Sequence, residues 1–257
     1  MKQLKAIYDY REMIHMMVRR DLRGRYKGSV LGFLWTFLNP LLQLMVYTMV
    51  FSVIMRSDIE RYYLYLFIAL IPWLFMATSV QGGATCILAQ KTLVTKIYFP
   101  RQVIPIAHVT TCFVNMLLCF VVVLVVVGCS IGLNLVVLPF LIPVMLIEYC
   151  LALGISLMVS CITVYFRDLE HILGIVVMAW QFLSPVMYSV EMVPERLMKI
   201  FMLNPMTPVI IAYRNILYYK CAPDMSAMLS AVAMGVLFLI VGWVVFDKMQ
   251  IHFAEEL

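Results

Sequence analysis

The stretch QVIPIAHVTTCFVNMLLCFVVVLVVVGCSIGLNLVVLPFLIPVMLI, residues 102–147, decides the fold because it contains no Asp, Glu, Lys or Arg. A helix needs about 20 apolar residues to cross a bilayer, so this run is too long for one crossing and must hold two. The cluster GCSIGLN, residues 128–134, is rich in turn-forming residues and marks the break between them. Two consecutive spans indicate an integral membrane protein.

The composition of the whole chain agrees with this class. Of its 257 residues, 64% are hydrophobic and only 13% are charged, whereas about 25% of the residues in a soluble domain are charged. Further uncharged runs of bilayer-spanning length flank the central one. We therefore predict an all-α integral membrane protein with six transmembrane helices, over residues 31–55, 62–90, 102–128, 139–164, 172–190 and 225–246.

We expect a single transmembrane domain over residues 1–257. It would comprise an interfacial helix over 1–30, the six spans over 31–246 and a cytoplasmic tail over 247–257. The segment 191–224, between spans 5 and 6, contains Pro194, Pro205 and Pro208 with apolar patches between them. Proline and charge interrupt this segment too often for a clean crossing, so it is predicted to form re-entrant helices on the outer side.

The distribution of positive charge predicts the orientation. Most Lys and Arg residues precede span 1 or lie in the loops that follow spans 2 and 4. Because basic residues accumulate on the cytoplasmic side, both termini are predicted to lie in the cytoplasm. The net charge of +5 is explained by this asymmetry, and no nucleic-acid partner is expected.

The N-terminal segment is amphipathic when projected at 100° per residue. Ile7, Ile14 and Val18 share one face, and most of the basic residues share the other. Such a helix would lie on the inner leaflet with its apolar face toward the lipid. Alternatively, the segment is a plain basic flank that only sets the topology. Asp21, which lies among arginines, is predicted to form an intramolecular ion pair.

The loop over residues 90–102 is predicted to hold a short helix that ends before Pro100. In such a helix, Leu93, Val94 and Ile97 lie on one side and Lys91 and Lys96 lie nearby. A small amphipathic helix that projects into the cytoplasm is suited to docking a partner protein. A solvated loop with basic topology signals is the alternative.

Glu148 is the lone acid within a span. A charge at mid-span costs about 2.5–3.5 kcal/mol on insertion scales, so its carboxyl is expected to face a cavity or a partner. Its possible roles are a structural hydrogen bond, a hydrophilic patch for substrate hydroxyls and proton coupling. The seven cysteines form no Cys-x-x-Cys pair, and no metal site is predicted.

The order of several short motifs resembles the permease subunit of type-2 ABC exporters, in particular the branch that exports O-antigen, capsule or teichoic acid polymers. The motifs run nearly from end to end of the chain. They are RD at 20–21, LGFLW at 31–35, NP at 39–40, KTLV at 91–94, FPR at 99–101, YFRD at 165–168, SPV at 184–186 and NP at 204–205.

This resemblance implies a homodimer with a pore between its two subunits and two copies of a separate ATPase. The chain itself lacks a Gly-x-x-x-x-Gly-Lys-Ser/Thr phosphate loop, so no cofactor is expected on it and the ATP–Mg would bind to the partner. By similarity, the residues that couple to the ATPase would be Lys91, Leu93, Val94, Lys96, Ile97 and Arg101. The cytoplasmic entrance would be formed by Arg20, Asp21, Arg25, Tyr165, Arg167 and Asp168.

Aromatic residues in spans 1 and 5 are candidates for lining the path of the polymer. They are Trp35, Phe37, Trp180, Phe182 and Tyr188. Sugars stack on aromatic rings through their C–H faces, so an aromatic-lined conduit lets a polymer slide without tight hydrogen bonds. Interfacial belts or lipid-facing packing are the alternative for such residues.

The predicted function is therefore the pore subunit of an ATP-driven exporter of a lipid-linked polysaccharide, most simply O-antigen, and not an enzyme. Export of teichoic acid, capsule, lipo-oligosaccharide or a drug is the nearest alternative. An ion-coupled secondary transporter would favour inverted repeats and several buried ionisable groups. A membrane enzyme would need clustered acids, whereas the 14 acids of this chain are dispersed.

Overall fold

The computed structural model of the protein describes residues 2–24, 29–54 and 59–256, which form a bundle of helices. The α-helices are α1 (Lys2–Asp9), α2 (Arg11–Gly24), α3 (Trp35–Thr48), α4 (Tyr62–Ala89), α5 (Lys91–Lys96), α6 (Val103–Ser130), α7 (Leu141–Tyr165), α8 (Leu169–Phe182), α9 (Glu195–Met202), α10 (Met206–Leu217), α11 (Met225–Met249) and α12 (Phe253–Glu256). A 3-10 turn over Gly32–Leu34 and a π-helical stretch over Met49–Ile54 extend α3 at its two ends.

Among the described residues, five helical segments are long and apolar enough to cross a bilayer. They are Gly32–Ile54, Tyr62–Ala89, Val103–Ser130, Leu138–Tyr165 and Met225–Met249. A helix rises about 1.5 Å per residue, so even the shortest of them, with 23 residues, exceeds the ~30 Å hydrocarbon core of a bilayer. The all-helical membrane class is confirmed, and these segments coincide with predicted spans 1, 2, 3, 4 and 6.

The break predicted between spans 3 and 4 is present. Helix α6 ends at Ser130, and Gly132 takes a positive φ of +77°, which a residue without Cβ adopts readily. The side chain of Asn134 then accepts a hydrogen bond from the backbone N–H of Val136 at 3.1 Å. This turn reverses the chain into α7.

The predicted fifth span, residues 172–190, is shorter in the structure than expected. Helix α8 covers 14 residues, Leu169–Phe182, or about 21 Å, which is less than a full crossing. Pro185 disfavours the α conformation at the residue before it, and the chain leaves the helix at Phe182. Residues 183–190 are uncharged but not α-helical, so hydropathy alone does not show that the helix ends at Phe182.

The segment between spans 5 and 6 contains two short helices, α9 and α10. Pro205 directly precedes α10, and Pro208 lies in its first turn, where a missing N–H leaves no hydrogen bond unmade. Helix α10 packs against α4, α7 and α11 and is largely buried. The chain then enters α11 at Asp224, whose side chain caps the helix. The Asp224 carboxylate accepts hydrogen bonds from the Ser226 hydroxyl and from the backbone N–H groups of Ala227 and Ser226, and these bonds lower its pKa.

Helices α7 and α11 pack backbone against backbone. A Cβ placed on Gly242 would lie 2.1 Å from the backbone oxygen of Gly154, and one on Gly154 would lie 2.4 Å from the backbone of Phe238. Only glycine permits such an approach, as at other helix contacts in membranes. Helix α4 occupies the centre, with most of its side chains buried against α6 and α7.

The predicted N-terminal helix consists of two helices, α1 and α2, that meet at Tyr10. Helix α2 packs against α6, with Met17 buried and Ile14 and Val18 packed onto the core. The predicted amphipathic helix is present, but the expectation that its apolar face meets the lipid is wrong for α2, because these side chains pack against α6 within the chain.

Candidate functional site

The short helix predicted in the loop over residues 90–102 is present as α5, Lys91–Lys96. The backbone of Ile97 is extended (φ −125°, ψ 135°), and the following residues lead through Pro100 into α6. Val94 is only 4% exposed and packs into the chain's own core, whereas Ile97 is 55% and Tyr98 is 98% exposed. The apolar surface available to a partner therefore belongs to Ile97 and Tyr98, while Leu93 is half-buried. The ammonium-bearing residues Lys91 and Lys96 are exposed at either end of the helix.

A groove of about 820 Å³ lies beside this loop, between the N-terminal and C-terminal segments of the chain. We call it the loop groove. It is lined by Ala6, Tyr10, Gln250, Ile251 and residues 94–102. The Tyr10 hydroxyl donates to the carbonyl oxygen of Tyr98 at 3.4 Å, which ties the N-terminal segment to the loop. Three segments that are distant in sequence thus form one concave surface at one end of the bundle.

The C-terminal residues 247–257, predicted as a tail, hold part of this surface together. Helix α11 continues to Met249, and the chain then turns so that Phe253 is fully buried. The Arg101 guanidinium donates to the carbonyl oxygen of Gln250 and lies 5.6 Å from the centre of the Phe253 ring. We call residues 249–253 the C-terminal clasp. Arg101, predicted to face the ATPase, is thus engaged within its own chain.

The predicted entrance residues fall into separate groups. The Tyr165 hydroxyl donates to the Met249 carbonyl at 2.7 Å, and the Tyr165 ring lies 6.2 Å from that of Phe253. The clasp therefore connects Tyr165 with Arg101. Arg167 and Asp168 are exposed between α7 and α8.

The predicted ion pair of Asp21 is present on α2. Arg20 Nε donates to Asp21 Oδ1 at 3.0 Å, with 52% and 35% of the two side chains exposed. A pair so exposed to solvent contributes little to stability. Arg25 lies outside the described residues.

The candidate path residues of span 1 are partly buried on α3. Trp35 Nε1 donates to Ser29 Oγ at 3.1 Å, and the Phe37 ring meets that of Phe33 edge-on at 5.4 Å. Trp35 also lines a small cavity between α3, α4 and α6, whose lining is partly polar.

The three later path residues belong to a second group around the end of α8. Trp180 Nε1 donates to Asn204 Oδ1 at 2.8 Å, and its ring meets Trp73 edge-on at 5.5 Å. Phe182 is 58% exposed, and its carbonyl accepts a hydrogen bond from the Tyr188 hydroxyl at 2.9 Å. Trp180 and Tyr188 therefore have contacts within the chain, and Phe182 presents the freest ring surface of the three.

Sequence reasoning missed the role of Arg214. Arg214 is 2% exposed, and its guanidinium donates to the carbonyl oxygens of Pro185 at 2.5 Å, Val186 at 2.8 Å and Tyr188 at 3.3 Å. The Tyr65 ring lies against its other side, 3.5 Å from the guanidinium carbon to the ring centre. The available signal was a single arginine inside the apolar run MTPVIIAYRNIL, residues 206–217. A buried cation needs hydrogen-bond acceptors around it. Here the acceptors are backbone carbonyls of the non-helical residues that follow α8.

Glu148 is fully buried on α7 and accepts a hydrogen bond from the Tyr213 hydroxyl to Oε2 at 2.7 Å. Its other oxygen, Oε1, is buried without a hydrogen-bond partner. Glu148 and Tyr213 thus join α7 to α10, which agrees with the structural alternative considered for this acid.

Replacing Glu148 by glutamine is expected to leave transport unchanged, because the amide oxygen can still accept from Tyr213. Replacing it by leucine removes the acceptor and leaves a buried hydroxyl unsatisfied, which costs about 1–3 kcal/mol. Thermal unfolding in detergent and a transport assay check both variants. Loss of transport in Glu148→Gln at unchanged stability would show instead that the acid's proton is needed.

Five helices of bilayer-crossing length among the described residues, with a short exposed helix between the second and third of them, define an all-helical membrane protein. The chain belongs to the ABC-2 type transporter family, whose profile matches residues 12–218. It is 35% identical over 260 residues to the O-antigen export system permease protein RfbA of Myxococcus xanthus, covering 99% of this chain and 98% of that protein. It is also 30% identical over 253 residues to the O-antigen export system permease protein RfbA of Klebsiella pneumoniae, covering 96% and 95% of the two chains.

Proposed function

We propose that this chain is the transmembrane subunit of an ATP-driven exporter that moves lipid-linked O-antigen across the bacterial inner membrane. The observation that carries this proposal is the similarity over nearly the whole chain to permeases of O-antigen export systems. Within the same family, export of teichoic acid, capsule, lipo-oligosaccharide or a drug remains the second candidate.

We propose that a separate ATPase binds at the loop groove. The exposed side chains of Ile97 and Tyr98 offer the apolar anchor that dominates a protein interface, and Lys91 and Lys96 surround it with positive charge. Since the chain has no phosphate loop of its own, the ATP–Mg belongs to that partner. The excess of basic residues at this end supports its cytoplasmic location, and with it cytoplasmic termini.

We propose further that two copies of the chain form the pore. The first span supports this, because Thr36 and Pro40 are the only residues of Gly32–Ile54 that are buried within the chain. Trp35 and Phe37 on this span, together with Trp180, Phe182 and Tyr188, are the proposed lining of the polymer path. Helix α8 and the non-helical residues after it would complete a sixth crossing, and α9 and α10 would form the re-entrant outer segment.

Deleting the gene for this chain in its own host is expected to abolish O-antigen on the cell surface, because the polymer then has no passage across the inner membrane. Lipid-linked polymer should accumulate inside. Surface labelling with an O-antigen antibody and gel analysis of lipid-linked polymer measure the two pools.

A tagged copy should restore export and purify with its ATPase, with two copies of each chain by native mass spectrometry. Unchanged surface polymer in the deletion strain would contradict the proposed function. A stable, active complex with one copy of each chain would contradict the dimer.

A further inference from the structure

A cavity of about 240 Å³ with a mixed apolar and polar lining lies between α3, α4 and α6, within the membrane-spanning part of the bundle. We call it the amide notch, after the three carboxamide side chains that line it: Asn39, Gln43 and Asn115. Thr78 and Trp35 also contribute to its wall. None of the described residues that line it carries a charge.

Asn115 is the feature of the notch that calls for a ligand. Its side chain is 8% exposed, and neither its Oδ1 nor its Nδ2 has a hydrogen-bond partner. A buried amide without partners costs free energy, and buried polar groups are paired in the great majority of cases. The amide of Asn115 is therefore placed where a bound group can pair with it.

Gln43 and Asn115 also lie at one depth, and Asn39 lies about 6 Å nearer the start of the first span. Asn39 and Gln43 are four residues apart and so share one face of α3. Gln43 lies about 16 Å from the start of the span at Gly32, and Asn115 lies about 18 Å from the start of α6. Thr78 lies about 16 Å from the end of α4 that is connected to α5. These distances place the notch near the middle of a hydrocarbon core about 30 Å thick.

The chemistry of the notch matches neutral hydroxyl groups. A carboxamide has both donors and an acceptor, as a sugar hydroxyl does, and the Trp35 ring offers a face for a sugar's C–H groups. A phosphate would require cations, and the described lining has none. The notch exceeds the ~30 Å³ occupied by one liquid water but is below the 300–1,000 Å³ typical of sites that enclose a whole ligand.

We infer that the amide notch is a subsite for a single neutral glycosyl unit of a polymer passing along α3. This inference deepens the proposed function and rests on it. Neutral amide–hydroxyl bonds are weaker than charge-assisted ones, so each sugar can be held briefly and released to the next step. The notch would thus replace some of the water-made hydrogen bonds that a sugar loses inside the membrane.

Asn115→Leu and Gln43→Leu test this assignment with nearly unchanged side-chain size. Each is expected to lower the rate of polymer export by about tenfold through lost hydrogen bonds, at unchanged abundance and ATPase association. For Asn115→Leu, thermal stability should be unchanged or higher, because an unpaired amide is removed. Gln43 is exposed, so its variant does not put folding at risk. Thr48→Val is the matched control, since it removes a buried, unpartnered hydroxyl of α3 outside the notch, and it should export normally.

Photocrosslinking provides a direct measurement. Benzoylphenylalanine replaces Leu74, which lines the notch, or Leu237, which is 58% exposed on α11. The probe is the host's own lipid-linked polymer, detected on the permease by periodate oxidation and biotin hydrazide. A ladder of glycan-bearing bands is expected from position 74, weaker in the Gln43→Leu background, and none is expected from position 237.

Normal export by both leucine variants would overturn the subsite. Capture of phospholipid alone, or of a second permease copy alone, at position 74 would do the same. These results leave the deletion phenotype unchanged, so they are distinguishable from a failure of the proposed function itself.

Discussion

Export is expected to stop when Ile97 and Tyr98 are both replaced by aspartate, although the permease still inserts into the membrane. Their side chains are 55% and 98% exposed, so the substitutions do not disturb the chain's own core. Two carboxylates in a desolvated apolar contact each cost at least as much as the loss of a strong anchor, about 2 kcal/mol. We therefore expect the affinity for the ATPase to fall by about 100-fold or more. Copurification of the ATPase and surface display of the polymer measure the two effects.

The matched control is the aspartate pair at Leu135 and Val136. These side chains are 75% and 82% exposed, and they follow α6 whereas Tyr98 precedes it, so they lie at the opposite end of a helix about 42 Å long. This pair should retain the ATPase. If the Ile97 and Tyr98 variant copurified with its ATPase and exported polymer at the normal rate, the loop groove would not be the coupling surface.

Replacing Arg214 by methionine is expected to destabilise the permease by about 3–5 kcal/mol, because several buried carbonyl oxygens lose their donor at once. The carbonyls of Pro185, Val186 and Tyr188 face the guanidinium, and Arg214 is so buried that bulk water does not reach these oxygens to replace the lost donor. The thermal unfolding temperature in detergent should fall steeply, and export should be lost.

Arg214→Lys should recover only part of this stability, since an ammonium is a compact donor that cannot match the fork of a guanidinium. Arg196→Met serves as the control, because Arg196 is exposed on α9, and its stability should match that of the unchanged protein. Equal unfolding temperatures for Arg214→Met and Arg196→Met would show that the carbonyls find other donors.

Hydropathy correctly predicted the spans whose apolar run is helical over its whole length. The charge-free run over residues 102–147 separates at the predicted turn into α6 and α7, because turn residues and helix length are both local properties. The same reasoning overestimated span 5. Its uncharged residues continue past Phe182, but Pro185 and the carbonyl-binding Arg214 hold them in a non-helical path.

The sequence predicted where the docking loop lies along the chain, but not which of its side chains face the core. The proline in FPR, residues 99–101, correctly predicted a short helix before it. A helix of six residues is too short for its periodicity to show which side faces the core, so the burial of Val94 could not be foreseen. The bond from Arg101 to Gln250 joins residues 149 positions apart, and no local pattern encodes such a contact.

The contact between Gly154 and Gly242 has a mechanical consequence. Two backbones that touch without intervening side chains have no rotamers between them that could absorb a displacement, and such close packing transmits strain directly. Helices α7 and α11 should therefore behave as one stiff beam during a transport cycle. The first span, with its largely uncovered surface, has no such restraint. We expect the working stroke to be a displacement of α3 against that beam, which would open and close the wall on which Asn39 and Gln43 sit.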